Sequence, residues 1–205
     1  MAEERVQRSV RLSPAVSTAI GVGSLVLAAV ASWSSLLMVV WGRVVPGWAL
    51  SAALLVIALV LRWVLTREGG PADASRLSGK RAVWAWWGNC LLIVMAVLGT
   101  AGGAVDDLIS SAEYHVLRPE GPGGCRAVVR ETSFLVIANG EAYAVGRTGL
   151  ALGESGSWVV DDGYRPIDGG TYALEWGRDG GYLQISGTST DPVIRGGSAD
   201  IDCGW

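Results

Sequence analysis

The pentapeptide Gly153-Glu154-Ser155-Gly156-Ser157 sets a serine among glycines, the setting in which serine hydrolases expose a nucleophilic hydroxyl. Such a hydroxyl needs a base to take its proton and a strand-turn-helix to present it. The only histidine, His115, lies in a different stretch, and no helical period follows the pentapeptide, so the segment reads as a turn. One histidine also offers no zinc cluster. Asp161, Asp162 and Asp168 carry oxygens that suit calcium, but they lack EF-hand spacing, and aspartate is favoured at turns for its own side-chain hydrogen bonds. The fifteen acids from Asp106 onward allow too many accidental pairs to pick out a glycosidase dyad. The expectation is therefore no catalytic residue, no metal and no cofactor.

Cysteines and aromatics say more. Cys125 and Cys203 stand near the two ends of the segment 125–205, where a disulfide would close nearly the whole segment. Cys90 lies in an apolar run and reads as an inert small side chain. Among Trp158, Tyr164, Tyr172, Trp176, Tyr182 and Trp205, the strand residues Trp158 and Trp176 are expected in the core, since Phe134 is the only phenylalanine available to fill it. Tyr164, near a turn, and Trp205, at the terminus, are the candidates for a ligand-binding surface.

These residues need elements to hold them, and the chain supplies two kinds. Half of its 205 residues are apolar, and the excess falls before residue 106 in three long uncharged segments. A spanning helix takes about 20 apolar residues to cross ~30 Å of hydrocarbon. The expected organisation is a tail at 1–14, transmembrane helices at 15–41, 47–66 and 82–105, a basic loop at 67–81, a linker at 106–124 and a β domain at 125–205. A small-x-small site at Ala29-Val30-Ala31 invites a cleaved signal peptide, but the run continues to Trp41 and further spans follow, so a retained anchor is expected. Gly, Ala and Ser crowd the first span, as close helix packing in lipid requires.

Charge supplies direction. Up to residue 105 nine Lys/Arg face four acids, and from Asp106 onward seven Arg face fifteen. Arg5, Arg8 and Arg11 in the tail and five basic residues in or beside the loop at 67–81 sit on one side of the membrane, against Arg43 on the other. The positive-inside rule then makes the N terminus and that loop cytoplasmic and the C-terminal domain extracytoplasmic, at the plasma membrane. An acidic domain argues against nucleic acid as partner. A single lysine beside abundant Ala, Gly and Arg suggests a GC-rich, actinobacterial genome.

After residue 105 the pattern changes to short β-prone runs between glycine turns. Strands are expected at 125–130, 133–138, 141–145, 157–160, 171–176, 182–186 and 199–203. Asn139-Gly140 is expected as the turn of a hairpin, because a type I′ turn needs positive φ at both positions. Six or seven such strands predict a small all-β sandwich or barrel. The fold class is thus a membrane α part of three helices plus a C-terminal all-β domain. The expected role is non-catalytic: binding, sensing, or serving as an accessory subunit. Its expected partners are the bilayer, a membrane protein or second copy packed against the helices, and a cell-envelope ligand. A membrane-anchored envelope enzyme with its site in the β domain is the alternative. Gly99 and Gly103, four apart near the end of the third span, leave two readings open: a close-packing face, or a loose joint beneath the domain.

Overall fold

The computed structural model describes residues 14–68 and 79–204. The apolar run that the sequence treats as one long first span breaks after Trp33. Helix α1 (Pro14–Trp33) ends there, and the Ser32 and Ser34 hydroxyls donate to the carbonyls of Ala29 and Ala31. Such bonds offer the backbone an alternative to continuing the helix. Residues 37–46, assigned in part to that span, instead form a hairpin of β1 (Leu37–Val40) and β2 (Arg43–Pro46). Trp41 and Gly42 at its tip both have positive φ, 51° and 78°, the turn geometry that suits the twist of two antiparallel strands. Leu37 and Val39 are buried against Val128, Tyr143 and Val145 of the C-terminal half. The reason for the correction is tertiary: a strand partner and an apolar surface outside the helices are waiting for these residues.

Helices α2 (Gly47–Glu68) and α3 (Gly79–Ile109) complete a three-helix bundle. Both are long and apolar enough to cross a membrane, over residues 47–64 and 86–109, and among the described residues of α1 the apolar stretch is 19–33. Leu25, Ala28, Leu55, Ala58 and Ala96 form the bundle core, and Thr100 donates to the buried Ser51 hydroxyl at 2.8 Å. Gly21 and Gly23 of α1 face open space, whereas Ser24, Ala28 and Ala31 serve contacts within this chain. Gly99 and Gly103 do the same for α3. A Cβ on Gly99 would meet Ser32 and Trp33, and one on Gly103 would lie 2.9 Å from the Trp48 Cβ. The glycine-rich stretch is a close-packing face, and α3 runs through it unbroken to Ile109.

The expected linker at 106–124 is also corrected. Its first residues are the last turn of α3, and β3 (Glu113–Val116) is an edge strand. With β4 (Arg126–Phe134), β5 (Ile137–Val145), β7 (Gly156–Asp161) and β10 (Val193–Gly196) it makes a five-stranded antiparallel sheet of order β10-β7-β5-β4-β3. A second sheet has the order β11-β9-β8, from β8 (Tyr172–Trp176), β9 (Gly181–Ile185) and β11 (Ser198–Ile201). The two enclose a core containing Ala127, Val129, Trp158, Leu183 and Ile201. The β1-β2 hairpin, extended by the short β6 (Leu150–Ala151), covers the other face of the large sheet.

Asn139-Gly140 is not a turn. It lies inside β5, and the β4-β5 turn is Leu135-Val136, with Leu135 at φ 56°. Gly140 is needed for another purpose: the Trp158 indole lies against it where a Cβ would sit. A glycine inside a strand often marks such a close approach. Cys125 and Cys203 are joined in a disulfide with Cα atoms 5.9 Å apart.

Candidate functional site

The polar groups converge where the β domain meets the helices. Alternation along β4 and β5 puts Val128, Arg130, Thr132 and Phe134, with Ile137, Asn139, Glu141, Tyr143 and Val145, on one sheet face. The Val128, Tyr143 and Val145 end of that face packs on the β1-β2 hairpin. Its middle, Arg130 and Glu141, meets the last turn of α3.

Arg130 is the hub. Its Nε and Nη2 donate to Asp107 Oδ1 at 3.1 and 2.8 Å, its Nη2 also to Asp106 Oδ2 at 2.6 Å, and its Nη1 lies 3.4 Å from both Glu141 oxygens. Asp107 further accepts from Trp48 Nε1 at 2.7 Å and from the Tyr114 hydroxyl at 2.9 Å, and Glu141 accepts from the Tyr143 hydroxyl at 2.7 Å. One guanidinium thus joins the end of α3 to the sheet, while Asp107 draws in the start of α2 and β3.

The placement has an electrostatic reason. The C-terminal end of a helix carries partial negative charge and favours cations, yet α3 ends with two aspartates and no basic residue in its last turn. Arg130 brings the missing cation from the sheet. Burial by itself would weaken the guanidinium's hold on its proton, but the Asp107 hydrogen bonds and the Glu141 charge more than offset this and hold its pKa above the ordinary value. Burial raises the Tyr114 hydroxyl, and the Asp107 charge raises it further. Burial and the Glu141 hydrogen bond do the same for Tyr143. Both phenols therefore stay neutral donors at physiological pH. A cavity of about 340 Å³ lies between this network and the helix ends, walled by Ser32, Trp33, Leu36 and Gly103 among others. A larger groove of about 780 Å³ lies on the other side of Arg130 and Glu141, towards Ile109, Phe134, Glu154 and Arg195.

His115, inside the expected linker, lies in β3 with its Nε2 buried, unpaired by hydrogen bonds and 3.8 Å from both Glu113 Oε2 and Glu131 Oε2. Glu131 is 1 % exposed and accepts from the backbone N–H groups of Ile167 and Asp168, at 2.9 and 3.1 Å, fixing the turn before β8. Burial pushes its carboxyl above the usual range, against those two hydrogen bonds and the His115 charge.

Of the residues singled out from sequence, Trp158 is buried in the core, and Trp176 packs at its edge while donating to the Pro119 carbonyl. Tyr164 is half-buried at the same core, with its hydroxyl 3.0 Å from Thr171 Oγ1. Trp205 lies outside the described residues. Ser155 sits in the loop before β7, where its N–H donates to the Ala142 carbonyl. Sequence reasoning placed Asp106 and Asp107 above the membrane but missed the network they enter. The available signal was an arginine between Val128 and Phe134 on one strand face, with Asp106 and Asp107 as the acids at the end of the apolar run. Neither family models, curated proteins nor solved structures gave a match to the chain.

Proposed function

We propose that the chain is an integral membrane protein that seats an acidic, disulfide-closed β domain on the extracytoplasmic ends of its helices, in a non-catalytic binding or accessory-subunit role. The observation that carries this reading is the outward apolar face of the helices. Only 22 % of residues 47–64 and 11 % of residues 86–109 are buried, so neither helix is the core of a soluble fold. Along α3 the exposed residues Trp87, Leu91, Val94, Leu98, Val105 and Leu108 recur at helical spacing. A soluble surface rarely exposes a continuous apolar patch beyond a few hundred Å². The basic residues of the tail and loop and the Cys125–Cys203 disulfide support the orientation. The Arg130 network supports the non-catalytic role, because its donors and acceptors satisfy one another and hold the domain in one place.

A membrane-impermeant thiol reagent applied to intact cells should label Gln184→Cys in a Cys90→Ala background. Protection of that position until the cells are lysed would overturn the orientation. Crosslinking followed by gentle solubilisation should recover the chain with a membrane or envelope partner, and a clean monomer would count against the accessory role.

A further inference from the structure

The β4-β5 turn is built from Phe134, Leu135, Val136 and Ile137, four consecutive apolar residues that are all exposed, Leu135 at 83 %. Nothing in the fold of the β domain asks for them. Leu135 adopts a left-handed φ of 56°, where glycine or asparagine would fit at lower cost. An apolar residue kept exposed in a strained backbone position points to use rather than to packing.

The turn lies beside the end of α3. The Ser133 N–H donates to the Ser110 carbonyl at 2.8 Å, one residue past the helix, and Phe134 shares a groove wall with Ile109. On that last helical turn Val105, Leu108 and Ile109 are exposed, Leu108 at 79 %, and they continue the outward stripe of α3. Among the other exposed apolar residues of the domain, Leu152 follows the strand that pairs with Leu37, four residues after the end of α1. The two apolar protrusions thus lie at the ends of the first and third helices.

From this continuity we infer that the Phe134–Ile137 turn inserts into the interfacial region of the bilayer, extending the lipid-facing surface of α3 and pinning the domain against the membrane. This rests on the membrane reading proposed above. The occupant is lipid because the surface is contiguous with the outward face of a spanning helix, where lipid is the neighbour. The contact is apolar in kind. The adjoining turn carries Asp161 and Asp162, which repel anionic headgroups, and Arg165 is engaged by Glu113 and the Ser111 carbonyl. Arg195, which lines the same groove as Phe134, is the basic residue whose attraction to headgroups the comparison of lipid mixtures tests.

The test places a bimane-type fluorophore on the full chain, Cys90→Ala, at Leu135→Cys, Leu98→Cys or Gln184→Cys, in nanodiscs of phosphatidylcholine with and without phosphatidylglycerol. Brominated acyl chains should quench the probe at Leu135 severalfold more than at Gln184, equally in both lipid mixtures. The Leu98 probe reports the membrane reading separately and should be quenched in any case. Quenching at Leu98 with a water-exposed spectrum at Leu135 overturns the insertion and leaves the membrane reading standing. No quenching at Leu98 overturns both. A Leu135 probe shielded from water yet unquenched by lipid assigns the turn to a second copy, and quenching only with phosphatidylglycerol assigns it to headgroup attraction; either result overturns the apolar contact.

Discussion

Replacing Arg130 by leucine should release the β domain from the helix ends. The Arg130 and Asp107 side chains are only 16 % and 14 % exposed and share a two-point hydrogen bond. Removing one member of a buried ion pair costs about 3–5 kcal/mol, because the other is left charged and uncompensated. The contacts to Asp106 and Glu141 are more open to solvent and are worth about 0–1 kcal/mol each. Asp107 would keep its Trp48 and Tyr114 donors, which puts Arg130→Leu at the low end, about 3 kcal/mol. In the Arg130→Leu/Asp107→Asn double variant the orphan charge is gone, and about half of that loss should return as a coupling energy within the range seen for contacting residues, roughly 0.5–3 kcal/mol. Hydrogen exchange of β4 and β5 amides, followed by mass spectrometry on the protein in nanodiscs, reads these energies directly. A loss of 3 kcal/mol corresponds to about a hundredfold faster exchange, at ~1.4 kcal/mol per decade. Exchange in the single variant within threefold of the parent, or strictly additive effects in the double, would refute the claim that Arg130 holds the junction.

Removing the disulfide with Cys125→Ser and Cys203→Ser frees a loop with a sequence separation of 78, for which the chain-entropy relation gives about 4–5 kcal/mol; urea unfolding of the β domain should show most of it, and an unchanged midpoint would contradict the prediction. Gly140→Ala should cost about 1–3 kcal/mol despite the better conformational propensity of alanine, since its methyl would collide with the Trp158 indole; a neutral or stabilising result in the same unfolding experiment would show that the indole moves aside. Glu131 has a folded pKa above its unfolded value, so the native state binds more protons between the two, and its contribution to stability falls as pH rises from about 4.5 through the folded pKa, then levels off. Glu131→Gln should flatten the melting temperature against pH over that window, and an identical slope in both proteins would remove Glu131 as the cause.

The sequence alone determined the division into an apolar helical half and an acidic β half, because hydropathy over about 20 residues and turn chemistry are local properties. It also determined that Cys125 and Cys203 should pair, since their positions at the two ends of the domain left little else for them to do. What it could not decide were the matters that depend on a neighbour far along the chain. Residues 37–40 have the composition of a span, and only the Val128, Tyr143 and Val145 surface makes them a strand. Asn139-Gly140 has the composition of a turn, and only the Trp158 ring explains why the glycine lies in mid-strand. The same holds for the junction. Asp106 and Asp107 at a helix C terminus, and Arg130 in a strand, are each unfavourable where they stand, and they become a stable site only when the fold brings opposite charges within hydrogen-bond distance. The glycines at 99 and 103 follow this rule too, being a joint or a packing face according to whether Ser32, Trp33 and Trp48 lie against them, and the structure puts them there.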